Sequence, residues 1–339
     1  MIRRFQNRMA TSRMALPVMS IYALVLWLAM LAIDHSLWLQ FAFFVVNVYL
    51  VVELNNRNAL MRQFSRMVSC SYIAMMMMCP WMLVNTKVMF VQFCLIASLS
   101  LLFPTYQQRS AMGNKYWAYL FVGLASMFWP PMLYFVPLFW IAEAMFLMSF
   151  SWKSMWASIF GIFTPLWIVA PYVVYSGSYD TIIQQYRLLL PDEKLIDAVA
   201  NPATLVPQSL PLPLLGLVAI VVIVVLCIIG MVHYLRNSYS DKIHVRMLYQ
   251  FFMFIGIFAL VAMLIVLALP YVGEMSGDML LAMVVVCTSP LLAHYVAFTY
   301  TRLTNISVII FMLGIFAFTL YVHLPIVMQL PSLTLALPF

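Results

Sequence analysis

The stretch from Tyr116 to Tyr175 constrains the fold most. It is sixty residues long and contains two charged side chains, Glu143 and Lys153. Water would not keep such a segment in solution, and a soluble core of ordinary size would not bury it. The stretch therefore predicts membrane-embedded helices. The number of times it crosses decides which side of the membrane each later loop faces.

The rest of the chain has the same membrane character. Hydrophobic residues make up 66% of it and charged residues 8%, which is typical of polytopic membrane proteins. The formal net charge of +7 comes from short basic clusters between apolar runs. Clusters of that kind orient membrane spans, so we expect no nucleic-acid partner. The five cysteines lie inside apolar runs as packing residues, and neither a metal nor a cofactor site is indicated.

Apolar runs recur along the whole sequence. At a rise of about 1.5 Å per residue, most of them are long enough to cross a hydrocarbon core about 30 Å thick. The predicted fold is therefore all-α, a polytopic transmembrane helical bundle of about 11 spans. The runs lie at 17–33, 39–53, 67–84, 88–105, 116–129, 132–150, 155–175, 213–232, 247–269, 279–298 and 305–322.

Two consecutive prolines bear on how often the central stretch crosses. The run 116–129 ends at Trp129, Pro130 and Pro131, where the prolines remove two backbone donors and disfavour helix in the residue before them. We predict a turn there, before the run 132–150. The alternative is one kinked helix of about thirty-five residues, which is far longer than helix tilting accommodates.

The distribution of Lys and Arg separates these two alternatives. With the larger number of spans and a cytoplasmic N-terminus, three of the 17 basic residues face outward and fourteen face inward. A single crossing of 116–150 would change the split to eleven inside and six outside. The positive-inside rule therefore favours the hairpin and places the C-terminus outside. The three outward-facing cations are Lys87, Arg187 and Lys194.

One long polar segment divides the predicted bundle. We predict a seven-span N-terminal membrane module at 1–175, an extracytoplasmic loop at 176–212, and a four-span C-terminal module with an apolar tail at 213–339. Within the loop, apolar residues at helical spacing predict an amphipathic helix over 179–190. The later stretch 201–213 carries four prolines and is expected to be extended.

Residues that carry chemistry are few. No P-loop, GxGxxG, GxSxG or HExxH motif is present, so the candidates are ionisable groups in the membrane, where they are costly. Glu143 lies within its predicted span and either snorkels or pairs with a polar neighbour, or serves a proton relay or a substrate. His294 lies near the inner end of its span, as a hydrogen-bonded interfacial histidine or as a functional group.

Three segments resemble a known family. They read ELNNRNALMRQFSRMVS at 53–69, GLASMFWPPMLYFVPLFW at 123–140 and WASIFGIFTPLW at 156–167. Together they look like an uncharacterised family of multi-pass inner-membrane proteins of Bacteroidota, over residues 1–175. The resemblance implies a location in the inner (plasma) membrane, and it supplies no catalytic residues.

More distantly, the layout is similar to the membrane module of the C-superfamily glycosyltransferases, which take sugars from polyprenyl-phosphate carriers on the outer face. The likeness consists of seven spans after a cytoplasmic N-terminus, a short hairpin beginning near Gly123, and an outer segment after the seventh span. Those enzymes carry acidic residues in a long first outer loop, whereas this chain has Asp34 alone in a short one. The resemblance implies an outer-facing site that includes Asp34.

Such a site needs groups for a diphosphate as well as a carboxylate. Arg187 has a planar guanidinium that can hold two phosphate oxygens, and His35 follows Asp34 in the first outer turn. We name Asp34 as the candidate catalytic residue, and Arg187 and His35 as candidate substrate-binding residues. The alternative is that they belong to ordinary solvated loops. The hypothesis demands that Asp34 and Arg187 face one shared outer cavity.

The sequence leaves three functions open. The first is an accessory or structural membrane protein of the cell envelope, in contact with membrane lipids. The second is a glycosyltransferase-like enzyme that handles a polyprenyl-phosphate-linked glycan at the outer face. The third is a transporter, which is disfavoured because matching broken helices in two halves are not evident in the sequence.

Overall fold

A computed structural model describes residues 5–177, 179–187, 189, 214–268 and 274–334, without the side chains at 179, 181, 182, 214, 268, 274–276 and 324–334. All regular structure within these ranges is helical, and none of the described residues belongs to a β-strand. The all-α fold class is therefore confirmed for this part of the chain. The predicted extended stretch 201–213 lies outside the described residues.

We number the helices of the described residues in chain order. They are α1 (Phe5–Thr11), α2 (Ala15–Ile33), α3 (Trp38–Asn58), α4 (Met67–Met77), α5 (Pro80–Val84), α6 (Thr86–Leu102), α7 (Met112–Phe128), α8 (Phe135–Ala142), α9 (Trp152–Ser176), α10 (Tyr179–Arg187), α11 (Leu214–Asn237), α12 (Ile243–Ala268), α13 (Glu274–Phe298) and α14 (Arg302–Thr334). The helix α10 falls within the predicted amphipathic segment 179–190.

Nine helical segments of the described chain are long and apolar enough to cross a membrane. The protein is therefore a multi-pass membrane protein. Each segment overlaps one of the predicted spans, with shifted ends. They are Ala15–Ile33, His35–Asn58, Thr86–Thr105, Pro130–Leu147, Trp152–Ser176, Leu215–Ser240, Ile243–Leu267, Gly277–Phe298 and Arg302–His323.

The two remaining predicted spans, 67–84 and 116–129, correspond to helices shorter than these nine segments. The run 67–84 contains two helices, α4 and α5, because Pro80 lacks the backbone N–H that a continuing α4 would need. The run 116–129 falls in α7, which has 17 residues and is about 25 Å long. The count of spans therefore stays a prediction. The predicted C-terminal tail begins as a continuation of α14, which ends at Thr334.

The turn predicted at the paired prolines is present. After α7, Trp129 leaves the helical conformation and a 3₁₀ turn, Pro130–Tyr134, leads into α8. The Tyr119 hydroxyl donates a hydrogen bond to Glu143 at 2.6 Å. In one continuous helix these two residues would lie about 36 Å apart. The chain therefore folds back on itself at the prolines, and the single kinked helix is excluded.

The chain divides into two compact units that alternate along the sequence. Unit 1 comprises Met1–Met89, Leu214–Val245 and Val285–Phe339, and unit 2 comprises Phe90–Pro213 and Arg246–Val284. The predicted modules at 1–175 and 213–339 have their boundary at the outer loop instead, and they stay a prediction.

Unit 1 packs α2 against α3 and α14. The buried Trp27 ring of α2 lies 5.5 Å from Phe41 of α3 between ring centroids. Nearer the start of α2, the Tyr22 ring lies 5.1 Å from the Phe316 ring of α14 between ring centroids. The side-chain amide of Asn7 donates to a backbone carbonyl at the end of α13 at 3.0 Å, which fixes α1 to this bundle.

Unit 2 is built around α7, α8 and α9. The backbones of α7 and α9 approach so closely that a Cβ at Gly123 would lie 2.5 Å from the carbonyl oxygen of Ile162. Phe139 of α8 stacks on Phe251 of α12 at 6.1 Å. The Gln185 side chain donates to the last turn of α7, so α10 lies against the tip of the hairpin.

Candidate functional sites

A large apolar cavity lies within unit 1. Its volume is about 690 Å³, and its lining residues come from α1, α2, α4, α11, α13 and α14. Among the described residues that line it, Arg8 near the end of α1 is the one with a formal charge. The α2 residues share one helical face. They are Ala15, Val18, Met19 and Tyr22.

Hydroxyl groups toward both ends of this cavity are hydrogen-bonded to protein atoms. Tyr22 donates to the Thr319 hydroxyl at 2.6 Å, and Thr319 donates in turn to the Ile315 carbonyl at 2.6 Å. The hydroxyls of Tyr295 and Ser307 lie 3.0 Å apart. Because these hydroxyls already have partners, the cavity wall around them behaves as an apolar surface.

A cluster of ionisable side chains joins three segments elsewhere in unit 1. Asp241, between α11 and α12, accepts a hydrogen bond from Arg62, between α3 and α4. The Nε2 atom of His294 on α13 lies 3.2 Å from the second Asp241 oxygen. Arg62 also donates a hydrogen bond to the Ser240 hydroxyl, and its guanidinium lies over the Phe298 ring, 4.6 Å from the ring centroid. We call Arg62, Ser240, Asp241 and His294 the Asp241 cluster.

The Asp241 carboxylate is held in its ionised form. Its side chain is 1% exposed, and burial by itself would raise its pKa, but the hydrogen bonds with His294 and Arg62 outweigh burial and hold the pKa of Asp241 below its ordinary value. An ionised carboxylate between Arg62 and His294 ties two loops to α13. The Asp241 cluster therefore stabilises the packing of these loops against α13.

A second buried ion pair lies in unit 2. The Nζ atom of Lys115, in the first turn of α7, lies 2.7 Å from Oε2 of Glu143, while Tyr119 donates to the other oxygen at 2.6 Å. Lys115 also donates to the Ser149 carbonyl at 2.7 Å and to the Ser154 hydroxyl at 3.2 Å. We call these five residues the Lys115 cluster. Its bonds tie α7 to the end of the hairpin and to the start of α9.

Lys115 is one of the fourteen cations predicted to lie on the inner side. Its exposed fraction is 0%, so it is a buried partner of Glu143, and the side of the membrane on which it lies stays a prediction. Glu143 begins a π-helical segment, Glu143–Leu147, a feature that often occurs at functional sites. The structure gives Glu143 a cationic partner and a hydrogen-bond donor, and any role beyond that pairing stays a prediction.

Asp34, the predicted catalytic residue, caps a turn. Its carboxylate accepts a hydrogen bond from the backbone N–H of Ser36 at 2.8 Å, at the start of the 3₁₀ turn His35–Leu37. Hydrogen bonding with Ser36 lowers the pKa of Asp34 below its ordinary value, which makes the carboxylate a weaker base. His35 is exposed in the same turn. This geometry explains both residues as parts of a solvated turn, and their predicted roles stay predictions.

Arg187, the predicted phosphate ligand, is the exposed last residue of α10. Asp34 and His35 belong to unit 1 and Arg187 belongs to unit 2. The shared outer cavity therefore stays a prediction. None of the three lines the unit 1 cavity or a smaller one of about 260 Å³ between α2 and α3. His294 belongs to the Asp241 cluster.

The sequence did not single out four residues of these sites, Arg8, Arg62, Lys115 and Asp241. A signal existed for Lys115, because a lone carboxylate inside the membrane needs a cation. A hairpin centred near Pro131 brings position 143 next to the start of α7. No comparable signal existed for the cavity, which depends on how side chains from six helices fill space.

The described residues contain no group of three His, Cys, Asp or Glu side chains placed to hold a metal ion. All five cysteines are buried. No protein-family model, curated protein or solved structure matches this chain. The assignment of function therefore rests on the geometry of the cavity and of the two clusters.

Proposed function

We propose that this protein is an accessory membrane protein of the cell envelope that holds a membrane lipid in the unit 1 cavity. The observation that carries the proposal is the cavity of about 690 Å³ with an apolar lining. Its volume lies in the range of about 300–1,000 Å³ typical of sites for small ligands. In a multi-pass membrane protein, the apolar molecules available to such a cavity are lipids. We propose the inner membrane as its location, because the predicted topology leaves fourteen of the 17 Lys and Arg residues on the cytoplasmic side.

The chemistry of the lining favours hydrocarbon over a polar solute. A sugar or an ion in the cavity would give up its water, and the hydroxyls of Tyr22, Thr319 and Tyr295 already have partners. Burial of a polar group without a compensating hydrogen bond is strongly unfavourable. An acyl chain needs no such partner. It restores dispersion contacts that an unfilled cavity would lack.

A cavity-filling substitution tests the proposal. Ala74 on α4 lines the cavity, so Ala74→Phe places a ring where the lipid would lie. Ala29→Phe on α2 is the matched control, because Ala29 is similarly half-buried and lies outside the cavity. Lipid retained by each detergent-purified protein is extracted and quantified by mass spectrometry against protein.

The wild type and Ala29→Phe are expected to retain a stoichiometric lipid through purification, and Ala74→Phe is expected to lose it. Equal retention by the two variants would show that the lipid lies elsewhere. A wild-type protein that carries no lipid at all would overturn the proposed function. Melting curves for all three proteins verify that they are folded.

A further inference from the structure

We infer that the lipid in the unit 1 cavity is an anionic phospholipid, with one acyl chain in the cavity and its phosphate beside Arg8. This inference rests on the proposed function and specifies the class of lipid. Its evidence is the length of the cavity, the position of its one charged side chain and the character of its deep end.

The cavity is about as long as one membrane leaflet is deep. Along α2 its lining runs from Ala15 to Tyr22, about 11 Å of helix, and along α14 from Val308 to Thr319, about 17 Å. Half of a hydrocarbon core about 30 Å thick is about 15 Å. The chain of an ordinary phospholipid has this reach. A polyprenyl chain of many isoprene units would extend past the deep end.

The deep end of the cavity lies near the middle of the α2 span. Tyr22 lies about 11 Å along the helix from Ala15 and about 17 Å from Ile33. There the Tyr22 and Thr319 hydroxyls bond each other at 2.6 Å. This pair marks the depth at which an acyl chain from one leaflet would end. The polar end of the occupant must therefore lie at the opposite end of the cavity, on the side of Arg8.

The Arg8 end attracts negative charge. The Arg8 side chain is exposed, and no ion pair occupies it among the described residues. No Asp or Glu lines the cavity in the described part of the chain. A guanidinium can hold two oxygens of one phosphate. A headgroup with net negative charge is favoured over a zwitterionic one, which carries its own cation.

Competition between defined lipids tests the inference. Delipidated wild type is mixed with phosphatidylglycerol and phosphatidylcholine that have the same oleoyl chains, and bound lipid is counted by native mass spectrometry. The variants are Arg8→Gln, which removes the charge, and Arg8→Lys, which keeps it. Arg13→Gln is the matched control, because Arg13 is exposed nearby in sequence but does not line the cavity. A polyprenyl phosphate is the third competing lipid.

The wild type, Arg8→Lys and Arg13→Gln are expected to prefer phosphatidylglycerol about fivefold, and Arg8→Gln is expected to bind both phospholipids equally. Binding without a preference in the wild type, or an unchanged preference in Arg8→Gln, overturns the anionic headgroup and leaves lipid binding intact. Displacement of phosphatidylglycerol by the polyprenyl phosphate overturns the chain-length argument. Binding of none of the lipids overturns the proposed function itself.

Discussion

Glu143 and Lys115 are both sealed from solvent, with exposed fractions of 1% and 0%. Each charge is tolerated because the other is present, so removal of one partner leaves an uncompensated buried charge. We expect Glu143→Gln to lower the free energy of unfolding by about 3–5 kcal/mol. The double variant Lys115→Met with Glu143→Gln should lose less free energy of unfolding than Glu143→Gln alone, since it removes both charges.

Thermal unfolding in detergent measures the difference between these proteins. If Glu143→Gln melts like the wild type, the pair contributes nothing and the Lys115 cluster is not a structural tie. A double variant that is less stable than Glu143→Gln would also contradict the account. It would show that the uncompensated Lys115 charge does not destabilise Glu143→Gln.

Asp241 predicts a defined pH dependence. Its pKa in the folded protein is below the ordinary value, which is about 3.9 in an unfolded chain. Its contribution to stability is therefore fully present above about pH 4 and is lost as the pH falls through the folded-state pKa. Asp241→Asn should have a lower melting temperature than the wild type at pH 5 to 7, and the difference between the two melting temperatures should narrow below about pH 4. A gap that widens on acidification would contradict this assignment.

At the residue scale, the sequence predicted few of the side-chain contacts. Glu143 and His294 stood out because ionisable groups are rare in apolar runs, but their partners Lys115 and Asp241 are brought close by contacts far apart in sequence. Tyr119 and Glu143 are 24 residues apart in the sequence, and Asp241 and His294 are 53 residues apart. Tertiary packing brings the two members of each pair together. Composition and periodicity carry no direct record of that packing.

At the scale of helices, the pairing of α7 and α9 depends on two glycines. A Cβ at Gly161 would lie 2.5 Å from the carbonyl oxygen of Tyr116 and 3.1 Å from the Leu120 nitrogen, so the two backbones would have to separate. We expect Gly161→Ala to destabilise unit 2 by about 1–3 kcal/mol. Gly113→Ala is the control, since nothing lies within 4 Å of its Cβ. A melting profile for Gly161→Ala that matches the control would contradict close backbone packing.

Helix positions were largely predictable because they follow from local chemistry. Apolar run length located the nine helical segments of the described chain that are long enough to cross a membrane, and the missing backbone donors of Pro130 and Pro131 located the hairpin turn. The same rule applied to Pro80 would have divided the run 67–84, which hydropathy alone treated as one span. The close approach of α7 and α9 had no such local signature, because a glycine in an apolar run is compatible with several environments.

At the scale of the whole molecule, the predicted sidedness follows from the charge split. Ser36 is exposed after α2, and Tyr239 is 79% exposed after α11. Cysteine substituted at Ser36 should react with an impermeant thiol reagent added to intact cells, and cysteine substituted at Tyr239 should not. The five native cysteines are buried and should give little background. Labelling at Tyr239 in intact cells would reverse the topology.

Lipid binding in unit 1 is tested most directly by a density map of the purified protein in a lipid nanodisc. The account predicts a continuous elongated density in the cavity, which starts beside Arg8 and ends at the Tyr22 and Thr319 hydroxyls. A cavity filled by repacked side chains, or lipid density that bypasses it, would contradict the account.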